Sequence, residues 1–290
     1  MELALALLAA LLFALGTVLQ QKASLDAPST AEGSRAGLLL RMARRPVWLA
    51  GIAADALGFG AQAVALTIGR IAVVQPLLIT SVVFALPLGA RLTGQRITRR
   101  DVGAAALVTV SLAVFLLVAD PSGGRNDAPL HAWLIVGAAF AGASALLVGA
   151  AARTTAAPAK AALLGTATGL LFGLSAALTK TVGDQVEQGL FTIFADWHLY
   201  ALVVVGYASM TLNQLALATG SLAPAVATSM AFDPISSVVL GIVLLHEELT
   251  PGAAGAAVAL AALAATLAGL ALLSRTQGEL IAEPAGQSAG

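Results

Sequence analysis

The chain has 290 residues, of which 59% are hydrophobic and 10% charged, with mean hydropathy +0.91 and zero formal net charge. Soluble domains carry roughly 45–50% apolar and about 25% charged residues, so this composition cannot cover a water-soluble surface, and the apolar surplus must face lipid. The balanced charge excludes a nucleic-acid partner, and the absence of cysteine excludes disulfides and thiolate metal sites. Three histidines with no H-E-x-x-H or G-x-S-x-G pattern give zinc or serine-nucleophile chemistry no footing, so neither an enzyme nor a cofactor is expected.

A helix rises 1.5 Å per residue, so about 20 apolar residues cross a hydrocarbon core of about 30 Å. The first apolar run begins at Leu3 behind Glu2, which is not the positive charge of a signal peptide. No clear cleavage site precedes Gln20-Gln21-Lys22, and a retained helix is expected. Runs of suitable length fall at 2–21, 47–68, 71–91, 101–119, 131–152, 161–181, 198–219, 221–245 and 252–273. This reads as an all-α polytopic membrane protein of nine spans. The residues from Ser274 are small and polar, which predicts a flexible tail over 274–290.

Lys and Arg in the short loops set orientation. One set of alternate loops holds Lys22, Arg35, Arg41, Arg44, Arg45, Arg91, Arg96, Arg99, Arg100, Arg153, Lys160 and Arg275; the other holds Arg70, Arg125 and Lys180. The N-terminus is therefore expected outside the cell membrane and the C-terminus in the cytoplasm. Arg41, Arg44 and Arg45 most simply anchor the cytoplasmic face; binding of anionic lipid is the sharper alternative.

The chain also resembles itself. LLFALGTVLQQK from Leu11 returns as LLFGLSAALTKT from Leu170, and ALTIGRIA from Ala65 returns as ALATGSLA from Ala216. Gln62 then falls on Asn213 and Gly69 on Gly220. After a one-residue shift, Gly89, Gln95, Thr98 and Gly103 fall on Gly241, Glu247, Thr250 and Gly255. Spans one to four (1–119) thus match spans six to nine (161–273), with span five and its flanks (120–160) as connector. A single-crossing connector gives the halves opposite topology. Inverted repeats of this kind build many secondary transporters, with substrate near the midplane between them.

On these residues the chain resembles the drug/metabolite transporter superfamily, specifically EamA-like permeases. In that family a helix carries a Pro and, thirteen residues on, a Glu that begins a G-E-x-x-[ST] type turn. DPISSVVLGIVLLHEELT supplies Pro234, Glu247 and Thr250 at that spacing, and the first half has Gln95, Thr98 and Val82 instead. The stretch RPVWLAGIAADALGFGAQAVALTIGRIAVVQPLL, with Trp48, Gly51, Gly58 and Pro76, also resembles the NIPA-like branch associated with magnesium transport. That branch carries Glu where this chain has Phe59, and Mg²⁺ requires hard oxygen ligands.

An ionisable group at membrane depth normally faces the bundle interior or a water-filled cavity. Asp233, mid-span, precedes Pro234, where a missing backbone donor predicts a break or bend. The acid could bind a cation, a proton or an amine, or could be a neutral partner at a structural kink. Asp55 shares a face with Gln62 seven residues on, as a binding site or as an interhelical hydrogen bond. Gln62, Asn213 and Gln214 could bond substrate or act as interhelical glue. Gln75-Pro76 reads as a feature of a helix start.

Glu247 is expected to help position the last helix, behind Thr250-Pro251 as N-cap and first-turn proline. Thr98 with Asp101 reads as a capping box. Gly165, Gly169 and Gly173 form a small-residue stripe expected to pack the two halves together, with homodimerisation as the alternative. The expected function is a secondary transporter of a small metabolite, drug-like or amine solute, embedded in lipid and working by alternating access. Coupling to a proton or cation would run through Asp233 or Asp55. A NIPA-like divalent-cation permease is the second reading, and a non-transport membrane assembly protein the third.

Overall fold

The computed structural model describes residues 1–25, 45–249 and 253–286. Among them, nine helices are long and apolar enough to cross a membrane: Glu2–Ala23, Pro46–Ile68, Ile71–Thr93, Arg99–Ala119, Leu130–Arg153, Ala157–Val186, Trp197–Leu217, Pro224–Val243 and Ala254–Leu273. Each coincides with a run expected from hydropathy. Arg41, Arg44, Thr250 and Pro251 lie outside the described residues.

In chain order the elements are α1 (Glu2–Leu25), α2 (Pro46–Ile68), α3 (Ile71–Leu78), α4 (Thr80–Thr93), α5 (Arg99–Ala119), β1 (Ser122–Gly123) and α6 (Leu130–Arg153). They continue with α7 (Ala157–Gln188), α8 (Leu190–Ala195), α9 (Trp197–Leu217), α10 (Leu222–Val243), β2 (Glu247–Glu248) and α11 (Ala253–Gly286). The third span is made of α3 and α4 together. β1 and β2 pair antiparallel, Gly123 opposite Glu247, which ties the connector to the chain after α10.

Three local readings need correction. The helix interruption falls in the third span, not at Pro234. Gln75 and Pro76 lie in the second turn of α3, which gives way to α4 at Ile79 while the Thr80 hydroxyl donates to Leu77 O at 2.6 Å. Pro76 has no N–H to give the Ala72 carbonyl one turn back, and at the break the Leu77 carbonyl accepts from both the Ile79 N–H and the Thr80 hydroxyl. By contrast α10 runs through Pro234 unbroken. It is held along its length by α7, and Ser236 Oγ donates to both Gly169 O (3.2 Å) and Asp233 O (2.9 Å). The last helix also continues past Ser274 to Gly286. The Thr98–Asp101 capping box is present, with Asp101 N–H donating to Thr98 Oγ1 and Thr98 N–H to Asp101 Oδ2.

Apolar burial drives little helix association in lipid, so packing depends on small residues and hydrogen bonds. α1 lies against α2, α3 and α4; α7 lies against α6, α9 and α10. The glycine stripe of α7 receives α10. A Cβ on Gly169 would stand 2.9 Å from Asp233 N, and one on Gly173 would stand 2.9 Å from Ser237 N while colliding with Ser236 Oγ. Both helices belong to the second half, so the stripe packs that half internally instead of joining the two halves. The halves meet through α5 on α11, with Ser111 and Thr266 hydroxyls 2.8 Å apart, and through α3 on α10 and α2 on α7. Phe59, on α2, is 51% exposed.

Gly169→Val should force α7 and α10 apart, since the obstructing atoms are backbone; a loss of about 3 kcal/mol or more is expected for such overpacking. Gly137→Ala, on a face with nothing within 4 Å, should leave the thermal unfolding midpoint in detergent unchanged. Equal midpoints for the two variants would refute the close approach.

Candidate functional site

A helix start leaves backbone N–H groups without intrahelical partners, and at the end of a membrane bundle they need acceptors from elsewhere. α3 begins after the extended pair Gly69-Arg70, and its N-cap Arg70 supplies no side-chain acceptor. Two distant carboxylates supply them instead. Glu2 Oε2 accepts from Arg70 N–H (3.0 Å), while Glu247 Oε1 and Oε2 accept from Ile71 N–H (2.7 Å) and Ala72 N–H (2.9 Å). Negative charge at a helix N-terminus is further favoured by the helix dipole. Glu2 also forms an ion pair with the Arg70 guanidinium at 3.3 Å.

The other side of the same loop is served by a cation. Lys180 of α7 donates its ammonium protons to Leu66 O (3.0 Å) and to Gly69 O, the carbonyls that α2 leaves open at its end. Lys180 is 5% exposed and Glu247 is 2% exposed. Residues from α1, the α2–α3 loop, α7 and β2 therefore form one buried polar junction. Burial raises the Glu247 carboxyl above its ordinary pKa; the Ala72 and Ile71 N–H groups and the charges of Lys180 and Arg70 oppose that rise without cancelling it.

Local backbone places Glu247. α10 ends at Val243, His246 turns the chain at φ 56, and the pairing with Gly123 fixes the strand. Gly124 lies at φ 102, where a Cβ would also stand 2.9 Å from Glu247 Cγ, so glycine is required on both counts. The carboxylate lies over Gly241, and in the first half the Gln95 side chain lies over Gly89 in the same manner. A cavity of about 580 Å³ opens beside the junction, lined by Glu2, Thr67, Arg70, Gly124, Asn126 and Lys180 among others.

The residues singled out from sequence are arranged differently. Asp55 accepts from Gln20 Nε2 at 2.5 Å and lies against Gly16 of α1. Asp233 is half-buried, with Ser237 Oγ 3.4 Å from its Oδ1. α2 and α10 are not among the closely packed helix pairs. Gln62 and Asn213 are half-buried and Gln214 is exposed. None of these five lines the cavity described above. Glu247, expected to position the last helix, is turned onto the start of α3, because that is where unserved N–H groups are available. Sequence reading missed Glu2 and Lys180 as partners. The signal was present: Arg70 and Lys180 are two of the three cations that break the loop asymmetry.

A second polar cluster lies at the same end. His198, 3% exposed, has its Nδ1 2.5 Å from Asp196 and its Nε2 3.3 Å from Asp127, and it stacks near Trp197 and Trp133. Trp133 Nε1 donates to Asp127 at 2.9 Å. Burial pushes the Asp196 carboxyl up, but bonds from His198 and Gln185 outweigh it and hold it below its usual range. This cluster clamps the connector to α6 and α9.

No family model and no solved structure matches the chain. It is similar to an uncharacterized protein of Corynebacterium glutamicum, with 34% identity over 248 residues that cover 84% of each chain.

Glu247→Ala leaves the Ile71 and Ala72 N–H groups without their acceptor and removes the negative charge near Lys180, so a loss of about 3–5 kcal/mol is expected; Glu248→Ala, exposed beside it, should cost little. Because the folded pKa of Glu247 is raised, its contribution to stability is complete below the unfolded pKa and is lost as pH rises through the folded one. The tryptophan-fluorescence unfolding midpoint should therefore fall over that interval, and Glu247→Gln should remove this component of the slope. A slope unchanged by Glu247→Gln would show that Glu247 does not titrate there.

Proposed function

We propose that this chain, which belongs to the same family as the Corynebacterium glutamicum protein, is a secondary transporter that moves a small solute across the cell membrane by alternating access. Its halves are inverted repeats of the EamA-like, drug/metabolite transporter type. The observation that carries this reading is the pattern of packing. α1 meets α2 and the third span as α7 meets α9 and α10, while the fourth span packs on the ninth and the third on the eighth. Exchanging the halves leaves these pairings unchanged, as a two-fold relation between inverted repeats requires.

Further support comes from the paired glycine–amide and glycine–carboxylate contacts, Gly89 with Gln95 and Gly241 with Glu247, which repeat at the offset seen in sequence. The Lys and Arg asymmetry orients the Glu2 end outward and the Arg96 end toward the cytoplasm. Asp233 and Asp55 remain the proposed coupling groups, because each is an acid at membrane depth held by only a polar side chain. The magnesium reading lacks such support, since the exposed Phe59 stands where the NIPA-like branch has Glu.

Reconstituted protein should move one class among amines, amino acids and Mg²⁺ in a solute screen run with and without a pH gradient. Asp233→Asn, which keeps the shape and removes the charge, should abolish gradient-driven flux with membrane insertion intact. Flux by the variant with unchanged pH and ion dependence would remove Asp233 from the coupling role, and absence of any flux would favour a non-transport assembly protein. Cysteine placed at Arg96 should resist impermeant reagents in intact cells; labelling there would overturn the orientation.

A further inference from the structure

The two ends of the bundle are not in the same condition. At the Glu2 end, α3 and α10 are closely packed, and Glu247, just past α10, bonds the first N–H groups of α3. Toward the Arg96 end the same two spans are α4 and α10, and these are not among the closely packed pairs. The third and eighth spans are thus closely packed at the Glu2 end and not toward the other, where Met230 of α10 reaches only the cluster around Ile79 and Val108.

The repeat identifies what should close the Arg96 end. Gln95 stands to α4 as Glu247 stands to α10, and Leu222-Ala223 at the start of α10 correspond to Ile71-Ala72 at the start of α3. The symmetry mate of the observed contact is therefore Gln95 on the N–H groups of Leu222 and Ala223. In the structure that contact is unmade. The Gln95 side chain lies over Gly89 and has no hydrogen-bond partner among the described residues, and Ser221 provides no side-chain cap for α10.

We propose that Glu247 and Gln95 are a pair of alternating latches: Glu247 on the start of α3 holds the Glu2 end closed, and Gln95 on the start of α10 closes the Arg96 end when the first latch is released. This rests on the transporter reading and its inverted repeat. The two latches are mutually exclusive, because the pivot that brings α4 to α10 withdraws α3 from it. They are also unequal. A carboxylate makes stronger bonds to N–H groups than an amide does, and Glu247 has Lys180 and Arg70 beside it. The sequence therefore favours the state described here, closed at the Glu2 end.

The test uses the full chain in liposomes, with spin labels at Arg96→Cys and Ser221→Cys; the protein has no cysteine of its own. Double electron–electron resonance should give a dominant long distance and a minor short one. The exchange Gln95→Glu with Glu247→Gln should invert the ratio, by about tenfold in each direction relative to equal populations. Gln95→Glu alone, which breaks no observed hydrogen bond and keeps the shape that lies over Gly89, should raise the short-distance population and serves if the double variant folds poorly. A distance distribution unaffected by Gln95→Glu overturns the latch, as does an outer cross-link (Ala72→Cys with Glu247→Cys) that forms together with an inner one (Gln95→Cys with Ala223→Cys) in the same molecule. A solute screen on the same samples is the separate arm. Exchange between distances without flux of any solute leaves the latch in place and removes the transport reading.

Discussion

The start of α3 is the constraint on which one end of this bundle depends. A membrane helix that begins beside an extended Gly69-Arg70 pair exposes N–H groups where water is scarce, and each unserved group costs several kcal/mol. Glu2 and Glu247 meet that cost from elements far away in sequence. Each charge-assisted bond contributes about 1.5–3 kcal/mol net. The consequence is architectural: α1, α10 and the β1–β2 pair are fixed around one helix start. Lys180 then serves the carbonyls of the preceding helix end, so α7 is drawn into the same junction.

Away from this junction the structure is held by close contact more than by polar bonds. Glycine stripes let α7 and α10 approach until backbone atoms touch, and Gly16 with Gly51 does the same for α1 and α2. Such contacts are rigid, since there is no side chain to give way. This explains why Pro234 does not break α10. The helix is clamped on the α7 side through three turns of glycine, and Ser236 Oγ ties it to Gly169 O of that helix. The third span, which carries Pro76, is interrupted at Ile79 although it packs against α1.

Hydropathy made the spans legible because the signal for a membrane crossing is additive over about 20 residues. The candidate site was less legible for a definite reason. A motif shows that Glu247 ends a helix and faces a turn, but not which of the bundle's helix starts will take its carboxylate. That choice depends on which ends meet in space. Lys180 was visible only as an exception to the charge asymmetry; its position between Leu66 O and Gly69 O accounts for the exception. Asp55 was legible as an acid at depth, but its partner Gln20 lies on another helix at an unrelated spacing. The glycine stripe was correctly read as a packing face. Its partner was not, because small residues specify how near a neighbour comes and not which neighbour it is.

The placement of the charged groups also bears on motion. Buried charges are costly to assemble and costly to leave unpaired in a dry interior; here Glu247 and Lys180 are buried, while Glu2 and Arg70 are half-exposed. At the end of a bundle the cost of breaking falls, because separating elements admit water that rehydrates each charge. Glu247, Lys180, Arg70 and Glu2 lie at such an end, beside a cavity already open on one side. The interhelical contact of Ser111 with Thr266, by contrast, has no charge to rehydrate and joins the fourth span to the ninth away from the junction. The physical division is therefore between a charged junction at the Glu2 end and an uncharged α5–α11 interface. Charged and uncharged interhelical contacts thus hold different places in the bundle, and the two respond differently when water reaches them.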